Sequence, residues 1–166
     1  MQKKILYLLV LPLLIYLFGC DKEENATNLD YGFACCVLDQ DGNDLLNPMN
    51  PDAIDTSQIQ IYHIIDGEPV FYYNAMSSIP KGYSIHAPYD NINYLNIIIP
   101  ISSHIEYEDR SVTIVKWDEY DSDTITVQIE KMGSVQLGTK YWINGNEDID
   151  WINQGLKVAK IVKTRE

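Results

Sequence analysis

Thr124-Ile125-Thr126-Val127-Gln128-Ile129-Glu130 decides the fold class of this chain. Ile125, Val127 and Ile129 alternate with polar neighbours. A period of two puts the three apolar side chains on one face of a strand and the polar ones on the other. A helix, with its 3.6-residue repeat, cannot sort them that way. Upstream, Ile59, Ile61, His63 and Ile65 alternate in the same manner with Gln58, Gln60, Tyr62 and Ile64. Residues 32–39, 94–99, 112–117 and 156–163 add further strands, rich in β-branched and aromatic side chains.

Turn chemistry separates these strands. Asp66-Gly67 joins the Ile59 strand to Val70-Phe71-Tyr72-Tyr73, and Asn144-Gly145 follows Lys140-Tyr141-Trp142-Ile143. Both pairs suit two-residue hairpins. Pro48, Pro51, Pro80 and Pro88 punctuate loops, and Pro100 ends its strand or places it at an edge. No long stretch carries a helical period, and one helical turn is expected over residues 51–55. Roughly seven to nine short strands in residues 31–166 predict a single all-β domain. The expected form is an antiparallel β-sandwich, Ig-like or transthyretin-like in topology. The Cys–Trp–Cys spacing of immunoglobulin domains is absent.

The N-terminus reads differently. Lys3 and Lys4 precede an uncharged, apolar run over residues 5–18. That run falls short of the roughly 20 residues a membrane span needs, and it reads as a secretory leader. With Gly19-Cys20 at its end it resembles the leader of a bacterial lipoprotein. The resemblance implies cleavage of residues 1–19 and lipid on the Cys20 thiol and amine. Residues 20–30 then form the lipid anchor and an acidic tether, too polar to bury itself and about 35 Å long when extended. Lys22, Glu23 and Glu24 resemble the signal that sends Bacteroidetes lipoproteins to the cell surface. The expected location is the outer membrane, lipid-anchored and surface-exposed.

Charge narrows the partners. The chain has 12 basic and 24 acidic residues, and without Lys3 and Lys4 the balance is 10 against 24, a net charge of −14. Phosphate backbones are repelled, so nucleic acid is a poor partner. Anionic headgroups are repelled too, which leaves the anchor as the contact with the membrane. Cys35 and Cys36 are adjacent on an apolar strand and point to opposite faces. A bridge between neighbours would be strained, so two free thiols are expected, at least one of them buried.

Three blocks carry a family resemblance. They are Asp39-Gln40-Asp41-Gly42-Asn43-Asp44-Leu45-Leu46-Asn47-Pro48, Lys116-Trp117-Asp118 with Asp121-Ser122-Asp123-Thr124-Ile125, and Tyr141 to Gly145 followed by Trp151. Together they resemble a group of small Bacteroidetes cell-surface lipoproteins without an established activity. The resemblance implies an all-β, lipid-anchored protein and transfers no catalytic residue. In the third block Trp142-Ile143 separate Tyr141 from Asn144-Gly145, a wider spacing than the family pattern.

Several side chains are candidates for chemistry. Asp39, Asp41 and Asn43 match the first three ligand positions of a calcium loop, and calcium wants about six to eight oxygens. Asp44 and Asn50 stand where such a loop needs Gly and Glu, and a turn closed by local Asp and Asn bonds explains the same residues. His63 reads as a core histidine. His104, Glu106 and Glu108 alternate, as a weak cation site or a polar strand edge would. No nucleophile, phosphate-loop or zinc motif is present, so no enzyme activity or cofactor is expected. A hydrolase would have to use loop acids such as Asp118 and Asp121. Asp123-Thr124-Ile125 resembles a Bacteroidetes O-glycosylation site on Thr124.

Aromatics are the stronger functional signal. Tyr72 and Tyr73 are adjacent, so one of them faces away from any shared core. With Tyr107 and Tyr120 they are the candidate binding residues, since exposed rings stack on sugars and anchor protein interfaces. The expected function is a non-catalytic module for glycan or another envelope protein, working by stacking rather than charge. The alternative is a structural or assembly subunit of an envelope complex or adhesive filament. Replacing Cys20 with Ala is expected to abolish metabolic labelling with fatty acid. The protein then turns soluble or stays uncleaved, and undiminished label would refute the anchor.

Overall fold

A computed structural model describes residues 28–30, 32–133, 135–153 and 157–164. Among these the chain forms β1 (Asn28–Asp30), β2 (Gly32–Asp39), β3 (Gln60–Ile65), β4 (Glu68–Phe71), β5 (Ser84–His86) and β6 (Asn96–Pro100). It continues with β7 (Arg110–Lys116), β8 (Ser122–Met132), β9 (Val135–Ile143), β10 (Trp151–Asn153) and β11 (Val158–Lys163). One sheet has the order β1-β9-β8-β7-β3-β4 and the other β10-β11-β2-β6-β5. The two sheets are mostly antiparallel and pack as a β-sandwich. The expected all-β fold is therefore the observed one. Three of the strands, β1, β5 and β10, are only three residues long, which leaves eight of greater length.

Two pairings depart from an antiparallel pattern. β1 runs parallel to β9, and β2 runs parallel to β11. Alternation within a strand does not encode the direction of its neighbour, so neither could be read from the sequence. The helical turn lies at Thr56–Gln58 rather than at 51–55, because Asp55 caps it by accepting from the Ser57 N–H. Pro100 ends β6, as expected.

The inward faces meet in a core that includes Phe33, Val37, Ile61, Ile97, Val115 and Ile125. A smaller apolar cluster of Cys36, Leu38, Ile92 and Val158 covers the other face of the second sheet. Burial on both sides is why β2 reads as an unbroken apolar run. Cys35 and Cys36 are free thiols facing these two clusters. Burial pushes the Cys36 thiol up to about 12 and the Cys35 thiol well above its usual range.

One polar network crosses the apolar interior. Lys163 on β11 is 7% exposed and Asp123 on β8 is 4% exposed. The Lys163 Nζ lies 2.6 Å from Asp123 Oδ2 and 2.7 Å from Asp121 Oδ1. Trp117 Nε1–H donates to Asp123 Oδ2 at 2.6 Å, and Asn144 Nδ2 donates to Asp123 Oδ1 at 2.7 Å. The network ties the second sheet to the first at one end of the sandwich. Lys163→Met is expected to destabilise by about 3–5 kcal/mol, because it leaves a buried carboxylate without its cation. Adding Asp123→Asn should recover part of that loss, since the two positions are coupled. Urea unfolding of the two variants checks both, and strictly additive losses would contradict the coupling.

Candidate functional site

The Asn144-Gly145 turn leads the chain past one of several open clefts among the described residues. Asn144 has φ 52° and Gly145 φ 79°, the left-handed pair that a tight hairpin turn requires. Ile143 and Asn146 exchange backbone bonds across the turn at 2.9 Å each way. The chain thus leaves β9 in one sheet and enters β10 at the edge of the other. Tyr141, opposite Val127 on the inward face of β9, meets Trp151 at the start of β10. Their rings lie 5.9 Å apart and close to perpendicular, at 81°. Both also pack on Phe33, with centroids at 6.1 and 6.4 Å. A Cβ at position 138 would lie 2.5 Å from the Tyr141 hydroxyl, so Gly138 makes room for that ring.

An open cleft of about 400 Å³ runs beside this pair, with Lys140, Glu147, Ile149 and Lys157 on its walls. Lys140 Nζ pairs with Glu147 at 2.5 Å and holds that carboxyl below its usual range. Lys157 Nζ sits 5.4 Å from the Tyr141 ring centroid. On the opposite face of β9, Arg110 and Lys140 lie 4.4 and 5.0 Å from the Trp142 ring. Half-buried rings beside charged, solvent-facing groups can accept a flat, partly polar ligand.

The tyrosines singled out from the sequence do not converge. Tyr72 turns inward, its ring 5.0 Å from His63. Gly82, at φ 83°, lets it settle there, because a Cβ would come within 2.4 Å of the Tyr72 ring. Tyr73 is therefore the outward one, 58% exposed, and stacks on Phe71 with centroids 6.4 Å apart at 10°. Phe71 lies 5.5 Å from Tyr62, so Tyr73 belongs to an exposed aromatic strip. Tyr107 is 50% exposed beside Arg110, and Tyr120 is 92% exposed on a separate loop.

The strip borders β4, an outer strand of its sheet. Tyr72 N–H donates to the Ile61 carbonyl, so alternation turns the backbone edges of Phe71 and Pro69 outward. Pro69 has no N–H to offer there, which blunts the edge against strand addition.

The acidic candidates are occupied by their own turns. Asp39 Oδ1 accepts from the N–H groups of Asp41 and Asn43 at 2.9 and 2.8 Å, and Oδ2 accepts from Asn43 Nδ2 at 2.7 Å. The Asn43 bonds hold the Asp39 carboxyl below its usual range. Asp118 Oδ1 accepts from the N–H groups of Tyr120 and Asp121, while Asp121 pairs with Lys163. His104 Nε2 lies 3.3 Å from Glu106 and 3.5 Å from Asp66, but Glu108 turns to Arg110. Among the described residues, no three His, Cys, Asp or Glu side chains are placed to hold a metal. Thr124 is half-buried on β8, and its neighbour Asp123 is the buried acid of the inter-sheet network. Cys20, Lys22, Glu23 and Glu24 lie outside the described residues.

Tyr141 and Trp151 were quoted in the sequence for their resemblance but not as binding residues. The available signal was the alternation of Tyr141 and Ile143 around Trp142, which puts Tyr141 on the inward face. No family model, curated protein or solved structure matches the chain.

His63 supplies a pH prediction. Its Nε2 lies 3.3 Å from the Pro100 carbonyl, and burial lowers its pKa despite that bond. Below the ordinary value of 6.5 the unfolded chain takes up a proton that the fold resists, so stability falls with pH. His63→Gln is expected to flatten the decline between about pH 6.5 and pH 5, measured by urea midpoints. An unchanged slope would contradict the assignment.

Proposed function

We propose that the domain is a non-catalytic binding module that holds a glycan in the Tyr141–Trp151 cleft. The observation that carries this reading is the pair of fixed, half-exposed rings beside charged groups in a cleft of about 400 Å³. That volume suits a small-molecule or sugar site. The apolar C–H face of a pyranose stacks on an aromatic surface, and its hydroxyls can bond to a polar rim. The lipoprotein-like leader supports display of this module on an outer membrane, with Cys20 as the anchor and Lys22, Glu23 and Glu24 directing it to the cell surface.

One observation favours a second reading, an assembly subunit of the envelope. Val70, Phe71, Tyr73, Met76 and Ile79 are all exposed along and beyond β4. A protein partner would engage them through side chains, because Pro69 disfavours an added strand.

Glycan array screening followed by calorimetry separates the two. Trp151→Ala is expected to weaken glycan binding by about tenfold or more, while Tyr73→Ala leaves it unchanged. Chelator should have no effect, since stacking needs no calcium. Melting temperatures of both variants control for packing against Phe33. Absence of glycan binding, with a specific envelope protein retained by the wild type and lost in Tyr73→Ala, would favour the assembly reading.

A further inference from the structure

The charges around the cleft narrow the ligand further, resting on the glycan reading of the same site. The chain is strongly acidic, with 24 acidic residues against 12 basic. Among the described residues the cleft departs from that balance, because its walls carry Lys140 and Lys157 against one carboxylate, Glu147. Glu147 is already paired with Lys140. Nearby Asp150 is paired with Lys160. Lys157 has no carboxylate partner among the described residues. Its ammonium sits 5.4 Å from the Tyr141 ring centroid. A neutral sugar would offer this cation hydroxyls but no charge.

We infer that the cleft takes an anionic saccharide. Its carboxylate or sulfate sits on Lys157, and its pyranose face lies against Trp151, with the Tyr141 ring set across it at 81°. Distant surface acids oppose such a ligand weakly, because exposed charges are screened beyond about 8 Å at physiological salt. An ammonium–anion hydrogen bond at close range is stronger than one to a neutral hydroxyl. The sugar ring supplies the stacking and the acid group selects among sugars.

Three probes test this on the intact chain by calorimetry: oligogalacturonate, its methyl ester, and a sulfated galactan oligosaccharide. The ester keeps the ring and removes the charge. The expected result is that the acid form binds about tenfold tighter than the ester, the scale of one charge-assisted bond. Lys157→Gln should close that gap without changing the melting temperature. Tight, Lys157-dependent binding of the sulfated probe instead supports the same site with sulfate as the anion. Equal binding of acid and ester, or a gap that survives Lys157→Gln, would overturn the inference and leave the glycan reading standing. No binding of any probe, neutral or charged, in this assay and on the array would remove both.

Discussion

The relation between the two sheets depends on one buried ammonium. Lys163 comes at the end of β11, whose neighbour β2 runs parallel to it. No hairpin turn can set the register of such a pair, since the two strands are separated by most of the domain. A one-residue slip of β11 would turn Lys163 outward and swing the exposed Val162 into the interior. Asp123 would then lie buried without a cation, a state that costs several kcal/mol. The network therefore penalises wrong registers more than it rewards the right one. Trp117 and Asn144 accept the same constraint, because each donates to an Asp123 oxygen.

The sheet margins follow a second constraint, that unpaired strand edges invite other chains. The outer strands are β1 and β4 in one sheet and β10 and β5 in the other. β1, β5 and β10 are three residues long, and β4 turns Pro69 outward. The exposed rings of Phe71 and Tyr73 are thus presented on a margin that resists strand addition. β1 and β9 run in the same direction. The Asp39–Asn43 turn and the Asn144-Gly145 turn lie at one end of the sandwich, since Asp39 is the register partner of Lys163 and both Lys163 and Asn144 bond Asp123.

Much of this was legible from local pattern. The alternation of β8 and β3, the two Asx-Gly turns, the stop at Pro100 and the opposed thiols of Cys35 and Cys36 each depend on a few adjacent residues. What was hidden depends on distance. Asp123 reads in the sequence as one residue of a glycosylation triplet because its partner, Lys163, lies forty residues onward. The outward tyrosine of the Tyr72-Tyr73 pair was fixed by Gly82 and His63, neither of which is its neighbour in sequence. Phe71 read as one apolar residue of a strand, and only the edge position of β4 exposes it. Tyr141 and Trp151 converge because β9 and β10 close two different sheets against Phe33.

Net charge says little about any single cleft. A balance of −14 suggested that any sugar would be read by stacking alone. But net charge is a sum over the whole surface, while a ligand feels the groups within a screening length of about 8 Å. The chain gathers Arg110 and Lys140 over Trp142 and places Lys157 over Tyr141. Cations over ring faces are favourable in themselves, so aromatic side chains on both faces of β9 draw positive charge to one strip of an acidic domain.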